Sequence, residues 1–171
     1  MTPTLRDAGP DDRPFLLALF ASTREQELSQ VLWPAEVREV FLRLQFSAQA
    51  TDYAQRHPDS RCQVIEHDGR PVGRLWVARG AHALRVLDIS LLPEARGRGI
   101  GTDCLRRVLA DAAATGRAVD LQLAAASPAR RLCERLGLRP VGQGLVYQAM
   151  RWTPFGAPHL DDFLALPHER A

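Results

Sequence analysis

The sequence predicts a single α/β domain, an α+β arrangement in which helices pack on the faces of one mixed sheet. The predicted segments follow the order β-α-α-β-β-β-α-β-α-β-β, which suits a sheet with both parallel and antiparallel strands. A length of 171 residues is enough to bury one core. No repeat or low-complexity linker divides residues 1–152. Residues 153–171 are a tail, either a docked helix or a loose arm.

The chain begins with a predicted strand over 3–8, a helix over 12–24 and a second, longer helix. Pro10 signals the start of the first helix, and Trp33-Pro34 that of the second, because proline is tolerated at a first helical position. Apolar residues of the second helix recur at three- and four-residue steps, so we expect one apolar face against the core. This face comprises Val37, Val40, Phe41, Leu44 and Ala48.

The middle of the chain predicts three consecutive strands. The segment CQVIEHDGRPVGRLWVAR contains two of them, joined at Asp68-Gly69, a strong hairpin signal. Residues 83–92 are the third strand. A helix from Gly99 to about Thr115 follows.

The last predicted elements are a buried strand over 118–125, a short helix over 128–137 and a closing pair of strands. The helix stops at Gly137, since glycine tolerates the left-handed conformation that ends helices. The closing strands cover 140–144 and 145–152.

Composition and charge exclude several classes of function. The net charge of +2 is too small to indicate nucleic-acid or membrane binding. The three cysteines have no metal-ligand spacing, so we predict no metal site. The N-terminus lacks an apolar signal segment, and we expect a cytoplasmic protein. All 22 basic residues are arginine, which indicates a GC-rich bacterial genome.

The stretch LLPEARGRGIGT, residues 91–102, lies where a strand ends and a helix begins. A helix start exposes unpaired N–H groups, and glycines let an anion approach them, so the stretch predicts a phosphate cradle. A Walker loop is excluded because the chain has no lysine. A dinucleotide fingerprint fits poorly, since Thr102 stands where a third glycine is needed. The alternative is that the glycines only allow a tight turn.

Two motifs resemble those of the GNAT N-acetyltransferases. Arg96-x-x-Gly99-x-Gly101, after a strand and at the start of an amphipathic helix, is similar to motif A of that family. The strand over 118–125 followed by SPARRLCERLGLRPV resembles the family's second motif. Together the matches cover about residues 85–145, and the upstream order of elements agrees with the same fold.

This resemblance implies a binding site for acetyl-CoA as co-substrate. The strand over 83–92 should splay from the strand over 118–125, and its backbone should bind the pantetheine arm. The amides that open the following helix should hold the pyrophosphate. The alternatives are plain sheet residues at Ser90 and Leu91 and a solvated charge at Arg98. The implied cofactor-binding residues are Ile89, Ser90, Leu91, Arg96, Gly97, Arg98, Gly99, Ile100, Gly101, Thr102 and Ser127.

The resemblance also implies direct attack of an amine on the thioester. Cys133 stands where many relatives have a tyrosine that protonates the leaving thiolate; the alternative is a small buried residue. Asp88 is a candidate base that could instead pair with an arginine such as Arg85. Glu66 or His67 could line the cleft, although a hairpin end is more often solvated.

The acceptor side is predicted from the second helix. Gln45, Gln49 and Tyr53 form a polar stripe at four-residue steps, which either contacts the acceptor or cofactor arm or faces solvent. Glu25, with Glu27 and Trp33, is a weaker candidate for binding a cationic amine.

The sequence therefore predicts an N-acetyltransferase acting on an amine of a small molecule or a protein. The alternatives are a catalytically degenerate GNAT domain that binds CoA as a sensor or interaction module, and an unrelated nucleotide-binding domain. No nucleic acid or membrane partner is expected, and a homodimer is possible.

Overall fold

The computed structural model describes residues 2–125, 127–142, 144 and 146–154. The predicted order of strands and helices is confirmed. The tail prediction lies, from residue 155 on, outside the described residues. The strands are β1 (Thr4–Asp7), β2 (Ser60–His67), β3 (Arg70–Arg79), β4 (Ala83–Leu91), β5 (Ala118–Ala124), β6 (Arg139–Val141) and β7 (Tyr147–Trp152). The helices are α1 (Arg13–Leu28), α2 (Ala35–Arg56), α3 (Ile100–Ala114) and α4 (Ala129–Arg135), and short 3-10 turns cover Pro10–Asp12 and Pro93–Ala95.

The seven strands form one sheet in the order β1-β2-β3-β4-β5-β7-β6. All neighbouring pairs are antiparallel except β4 and β5, which are parallel. A parallel pair needs a long crossover between its strands, and α3 provides it. The segment that joins the end of β4 to the start of α3 is therefore short, covering residues 92–99.

Helices cover the two faces of the sheet. The main core lies between one face and α3 with α4, where Leu75, Val86, Ile100, Leu105 and Cys133 are all buried. A smaller cluster on the other face joins Leu16 and Phe20 of α1 to Phe46 of α2. Side chains alternate along a strand, so every second residue of β3 and β4 faces α2 instead of the main core.

The predicted apolar face of α2 is wrong. Val37, Val40 and Leu44 are 49%, 57% and 66% exposed, Ala48 is also exposed, and Phe41 is half-buried against Trp33, with ring centroids 4.9 Å apart. The inward stripe of α2 is Leu42, Phe46, Gln49 and Tyr53.

The prediction failed because it followed hydrophobicity alone. The sheet surface beneath the second half of α2 is polar, and it selects Gln49 and Tyr53 through hydrogen bonds. A stripe that mixes apolar and polar residues at three- and four-residue steps therefore packs inward.

Within the described residues, none of the helices combines the length and apolar character needed to cross a bilayer. The same part of the chain contains no group of three or more His, Cys, Asp or Glu side chains that could hold a metal ion.

Candidate active site

The parallel strands β4 and β5 separate after four residue pairs. They pair from Ala83 with Ala118 to Val86 with Leu121. Beyond these pairs, β4 stays paired only with β3, as far as Leu91, and β5 stays paired only with β7, as far as Ala124. Both strands remain extended, so the described residues leave a wedge with a free strand edge on each side. We call this wedge the split; the expected splay is present.

A β-bulge lies at the vertex of the split. Trp76 of β3 pairs with Asp88 and Val77 pairs with Val86, so Leu87 is an extra residue in β4. A bulge changes which residues face each side of the sheet. Val86 packs in the main core, and after the bulge it is Ile89 and Leu91 that contact this core.

The free edge of β4 offers peptide groups to the split. The Leu92 amide donates to the Val72 carbonyl of the neighbouring chain segment at 2.9 Å. Because peptide groups alternate along a strand, those of Leu91 and Ile89 point away from β3, toward the split, and that of Ser90 points to β3. The Arg96 Nε donates to the Leu91 carbonyl at 2.9 Å, which agrees with this alternation.

The glycine stretch opens α3 with unpaired amides. Gly97 and Gly99 have φ of 71° and 81°, the left-handed region that glycine adopts without strain. No side chain caps the helix at Gly99. The Asp103 amide makes the first helical bond, to the Gly99 carbonyl at 3.0 Å. The amides of Ile100 to Thr102 therefore have no acceptor within the helix.

The space beside the α-carbons of Gly97 and Gly99 is open. A Cβ built on Gly97 or Gly99 has no atom within 4 Å, so backbone conformation and not crowding requires glycine there. A Cβ on Gly101 would lie 3.7 Å from the Leu91 side chain, an ordinary contact. The Arg96 and Arg98 side chains are exposed beside the stretch.

A polar network faces α2 next to the split. Arg74 is only 3% exposed, and its Nε donates to Asp88 Oδ2 at 2.8 Å. Its Nη2 donates to Gln49 Oε1 at 2.9 Å, and its guanidinium lies over the Trp76 ring. Ser90 Oγ also donates to Asp88 Oδ2, at 2.8 Å. Asp88 thus neutralises a buried cation, and its hydrogen bonds with other described residues all end on Oδ2, not on Oδ1.

Sequence reasoning missed Arg74 and expected Arg85 as the partner of Asp88. The available signal was a charged residue in the interior of an otherwise apolar strand, VGRLWVA. Such a residue needs a buried partner, because desolvating an unpaired charge is costly.

Tyr53 stands at the vertex of the split. Its hydroxyl donates to the Leu87 carbonyl at 3.0 Å, and its ring packs edge-on against Trp76. Burial, with the nearby Asp88 charge, raises the pKa of the Tyr53 phenol above its ordinary value. The hydroxyl therefore stays protonated at neutral pH and acts as a hydrogen-bond donor.

The second-motif residues Cys133 and Ser127 make contacts within the fold. Cys133 is 1% exposed in the main core, on the side of the sheet opposite Asp88. This burial raises the pKa of its thiol. Ser127 Oγ accepts a hydrogen bond from the Ala129 amide at 3.3 Å and so helps to cap α4.

The remaining candidates are exposed or contact nearby side chains. Gln45 is exposed, and Glu25 is exposed with Arg38 at 3.8 Å. Glu66 pairs with Arg6 at 2.7 Å on the β1 side of β2. His67 Nδ1 lies 3.0 Å from its neighbour Asp68. Trp33 contacts Phe41, as described above.

A cavity of about 570 Å³ lies under the end of α2 and reaches the vertex of the split. Tyr53, Leu87 and Gln122 line it at the vertex. Six ionisable side chains line part of the remainder, namely Asp52, Arg56, His57, Arg85, Asp120 and Arg151. Apolar residues complete the lining, namely Val86, Leu121, Val141, Ala149 and Met150. The free edge of β4 therefore runs from the cavity at the vertex of the split toward the segment that leads into α3.

Comparison with known proteins decides the family. The model of the acetyltransferase (GNAT) family matches residues 23–138, more than half of the chain. The chain belongs to the GNAT acetyltransferase family. Among curated proteins, no sequence matches it.

Solved structures share the GNAT fold. One is the PaiA N-acetyltransferase of Thermoplasma acidophilum in complex with coenzyme A, at 16% identity and a TM-score of 0.69, covering 90% of this chain and 99% of that one. An acetyltransferase of Thermus thermophilus has 21% identity and a TM-score of 0.65, covering 90% and 97%. A chain described as histone acetyltransferase HPA2 and related acetyltransferase, from Corynebacterium glutamicum, has 21% identity and a TM-score of 0.67, covering 92% and 99%.

Proposed function

We propose that this GNAT protein transfers an acetyl group from acetyl-CoA to a primary amine by direct attack. The observation that carries the proposal is the split between β4 and β5, next to an uncapped helix start. A strand edge with unpaired peptide groups suits an extended amide-containing arm, and the helix start suits a diphosphate. Coenzyme A contains both groups.

The residues present fit acetyl-CoA. Ile89 offers its amide and carbonyl to the pantetheine arm, and Leu91 offers its amide, since the Leu91 carbonyl accepts from Arg96. Ser90 contributes to the site through Asp88. The amides from Gly97 to Thr102 would hold the pyrophosphate, with Arg96 and Arg98 beside it. The structural neighbour PaiA was crystallised with coenzyme A, which supports the choice of cofactor.

Asp88 is proposed to receive the proton that the amine loses. Its known hydrogen bonds from Arg74 and Ser90 both end on Oδ2, so Oδ1 can accept a hydrogen bond from the acceptor amine. When bound, acetyl-CoA supplies the activated thioester. The amine nitrogen forms a bond to the carbonyl carbon, the C–S bond breaks, and water protonates the thiolate. Tyr53, which lines the cavity at the vertex, contacts the acceptor.

The burial of Cys133 favours one alternative, a domain that binds CoA without turnover. Relatives with a tyrosine at this position have a proton donor there, and this chain has a thiol enclosed in its core. Direct attack does not require that donor when water reaches the thiolate, so we retain the enzyme as the proposal.

Calorimetry with acetyl-CoA tests the cofactor site. Gly99→Val should abolish binding, because a β-branched residue at a φ of 81° is strained and covers the amides. Gly101→Ala is the matched control, since its Cβ makes only an ordinary contact, and it should leave the fold intact. Absence of wild-type binding at high micromolar concentration would end the proposal.

A thiol-release assay over a panel of amines then separates enzyme from module. Asp88→Asn should lower kcat by about a hundredfold or more, the range of general-base catalysis, with acetyl-CoA binding retained. Unchanged kcat in this variant would remove Asp88 as the base. Binding without thiol release from any amine would favour the module.

A further inference from the structure

The cavity under the end of α2 carries an excess of positive charge. Three guanidinium groups and two carboxylates line it. Asp52 pairs with Arg56 at 2.7 Å. Asp120 binds Arg151 through both carboxylate oxygens, at 2.6 and 2.8 Å. Both carboxylates are therefore already neutralised by neighbouring arginines.

Arg85 is the guanidinium that remains. In the part of the chain that the structure describes, no ion pair or side-chain hydrogen bond engages it. Its neighbours Leu84 and Val86 pack in the main core, so the side chain of Arg85 points to the opposite face, into the cavity. His57, at the end of α2, adds an imidazole to the same wall.

The cavity joins this free cation to the vertex of the split. Leu87 and Gln122, the first residues beyond the last β4–β5 pair, both line the cavity. Arg85 precedes Leu87 by two positions on β4, roughly 7 Å at the rise of a strand. A molecule in the cavity can therefore place one end at the split and the other at Arg85.

We propose that the acceptor is an amine that also carries a carboxylate or phosphate several bonds from the nitrogen, and that Arg85 binds this anionic group. The inference rests on the proposed acetyltransferase function. The planar guanidinium fork matches a carboxylate or phosphate through two parallel hydrogen bonds. An α-amino acid is too short, because a single carbon separates its amine from its carboxylate.

Matched pairs of acceptors test the charge. Glycylglycine and glycylglycinamide differ in the carboxylate alone, and phosphoethanolamine and ethanolamine differ in the phosphate. We expect wild-type kcat/KM to favour the anionic member of at least one pair by roughly tenfold, as one charge-assisted hydrogen bond at an exposed site provides. The pair with the larger ratio identifies the anion.

Arg85→Gln should remove this preference, because kcat/KM for the anionic acceptor should fall about tenfold more than kcat/KM for its neutral partner. Arg85→Lys, which keeps the charge, should retain part of it. Arg43→Gln is the matched control, because Arg43 lies on α2, outside the cavity, and pairs with Glu39. Thermal unfolding of each variant checks that it folds.

Equal rates within both wild-type pairs would overturn the inference, and so would a preference that survives in Arg85→Gln. The inference would also be overturned if none of the four compounds were acetylated. Calorimetry then separates failure of the acceptor proposal from failure of the acetyltransferase proposal. If acetyl-CoA binds and other amines react, only the acceptor class is wrong. If acetyl-CoA does not bind, the acetyltransferase proposal fails too.

Discussion

Removing the Asp88 carboxylate should destabilise the protein, because it leaves Arg74 buried without a counter-charge. Arg74 is 3% exposed and would keep Gln49 as its one hydrogen-bond partner known from the described residues. Breaking a buried ion pair from one side costs about 3–5 kcal/mol. The Asp88 side chain is 22% exposed, so water can enter in its place. We therefore expect Asp88→Ala to lose about 3 kcal/mol, at the low end of that range.

The charge itself causes this loss, and a double-mutant cycle isolates it. Replacing Arg74 by methionine in the Asp88→Ala background removes the unpaired cation while keeping an unbranched side chain over Trp76. The double variant should recover about 2 kcal/mol of the loss, since lifting the desolvation of an unpaired charge is favourable. If the double variant lost as much stability as the two single variants lose together, the argument would be contradicted.

Urea denaturation measures the free energies, and thermal unfolding provides a second reading. For a domain of this size, about 3 kcal/mol corresponds to a fall in Tm of roughly 6–12 °C. Asp111→Ala is the control, because its pair with Arg79, at 2.6 Å, is exposed. That variant should lose less than about 1 kcal/mol. An Asp88→Ala protein as stable as this control would refute the reasoning.

Two further predictions concern Cys133 and Asp12. Cys133→Ala should leave kcat unchanged in the thiol-release assay and lower stability by about 1 kcal/mol, because it removes one buried atom from the main core; a large fall in kcat with unchanged stability would restore the thiol as the acid. The Arg6 guanidinium lowers the pKa of Asp12 to about 2. This pair therefore makes its full contribution to the free energy of unfolding at pH values above 3.8, the ordinary pKa. The contribution is lost as the pH falls toward 2. Asp12→Asn should remove that part of the acid-unfolding curve, and an unaltered curve would contradict the prediction.

Most of the fold could be predicted because its signals are local. The hairpin at Asp68-Gly69, the proline before each of the first two helices and the glycine that ends α4 act over a few residues. The face of α2 could not be predicted this way. It depends on Arg74, which is distant in sequence and makes part of the sheet surface polar.

In the candidate site, too, the local features could be predicted and the contacts between distant residues could not. Gly97 and Gly99 indicate a left-handed backbone directly, and the structure has it. The hydrogen bond of Tyr53 could not be predicted from the sequence, because its partner is the backbone carbonyl of Leu87, at the bulge in β4. Cys133 was equally ambiguous, since a cysteine on an amphipathic helix suits either a cleft or a core.

The extra residue at Leu87 determines which side chains could meet a substrate. If β4 paired regularly with β3 beyond Val86, Asp88 and Ser90 would share the side of Val86, and two polar groups would enter the packed interior. Ile89 and Leu91 would then face Arg74. Grafting β4 onto another sheet, or redesigning its partner strand, would therefore keep Asp88 and Ser90 on the α2 side only if the bulge were transplanted too. A regularly paired β4 would place the proposed base on the wrong side of the sheet.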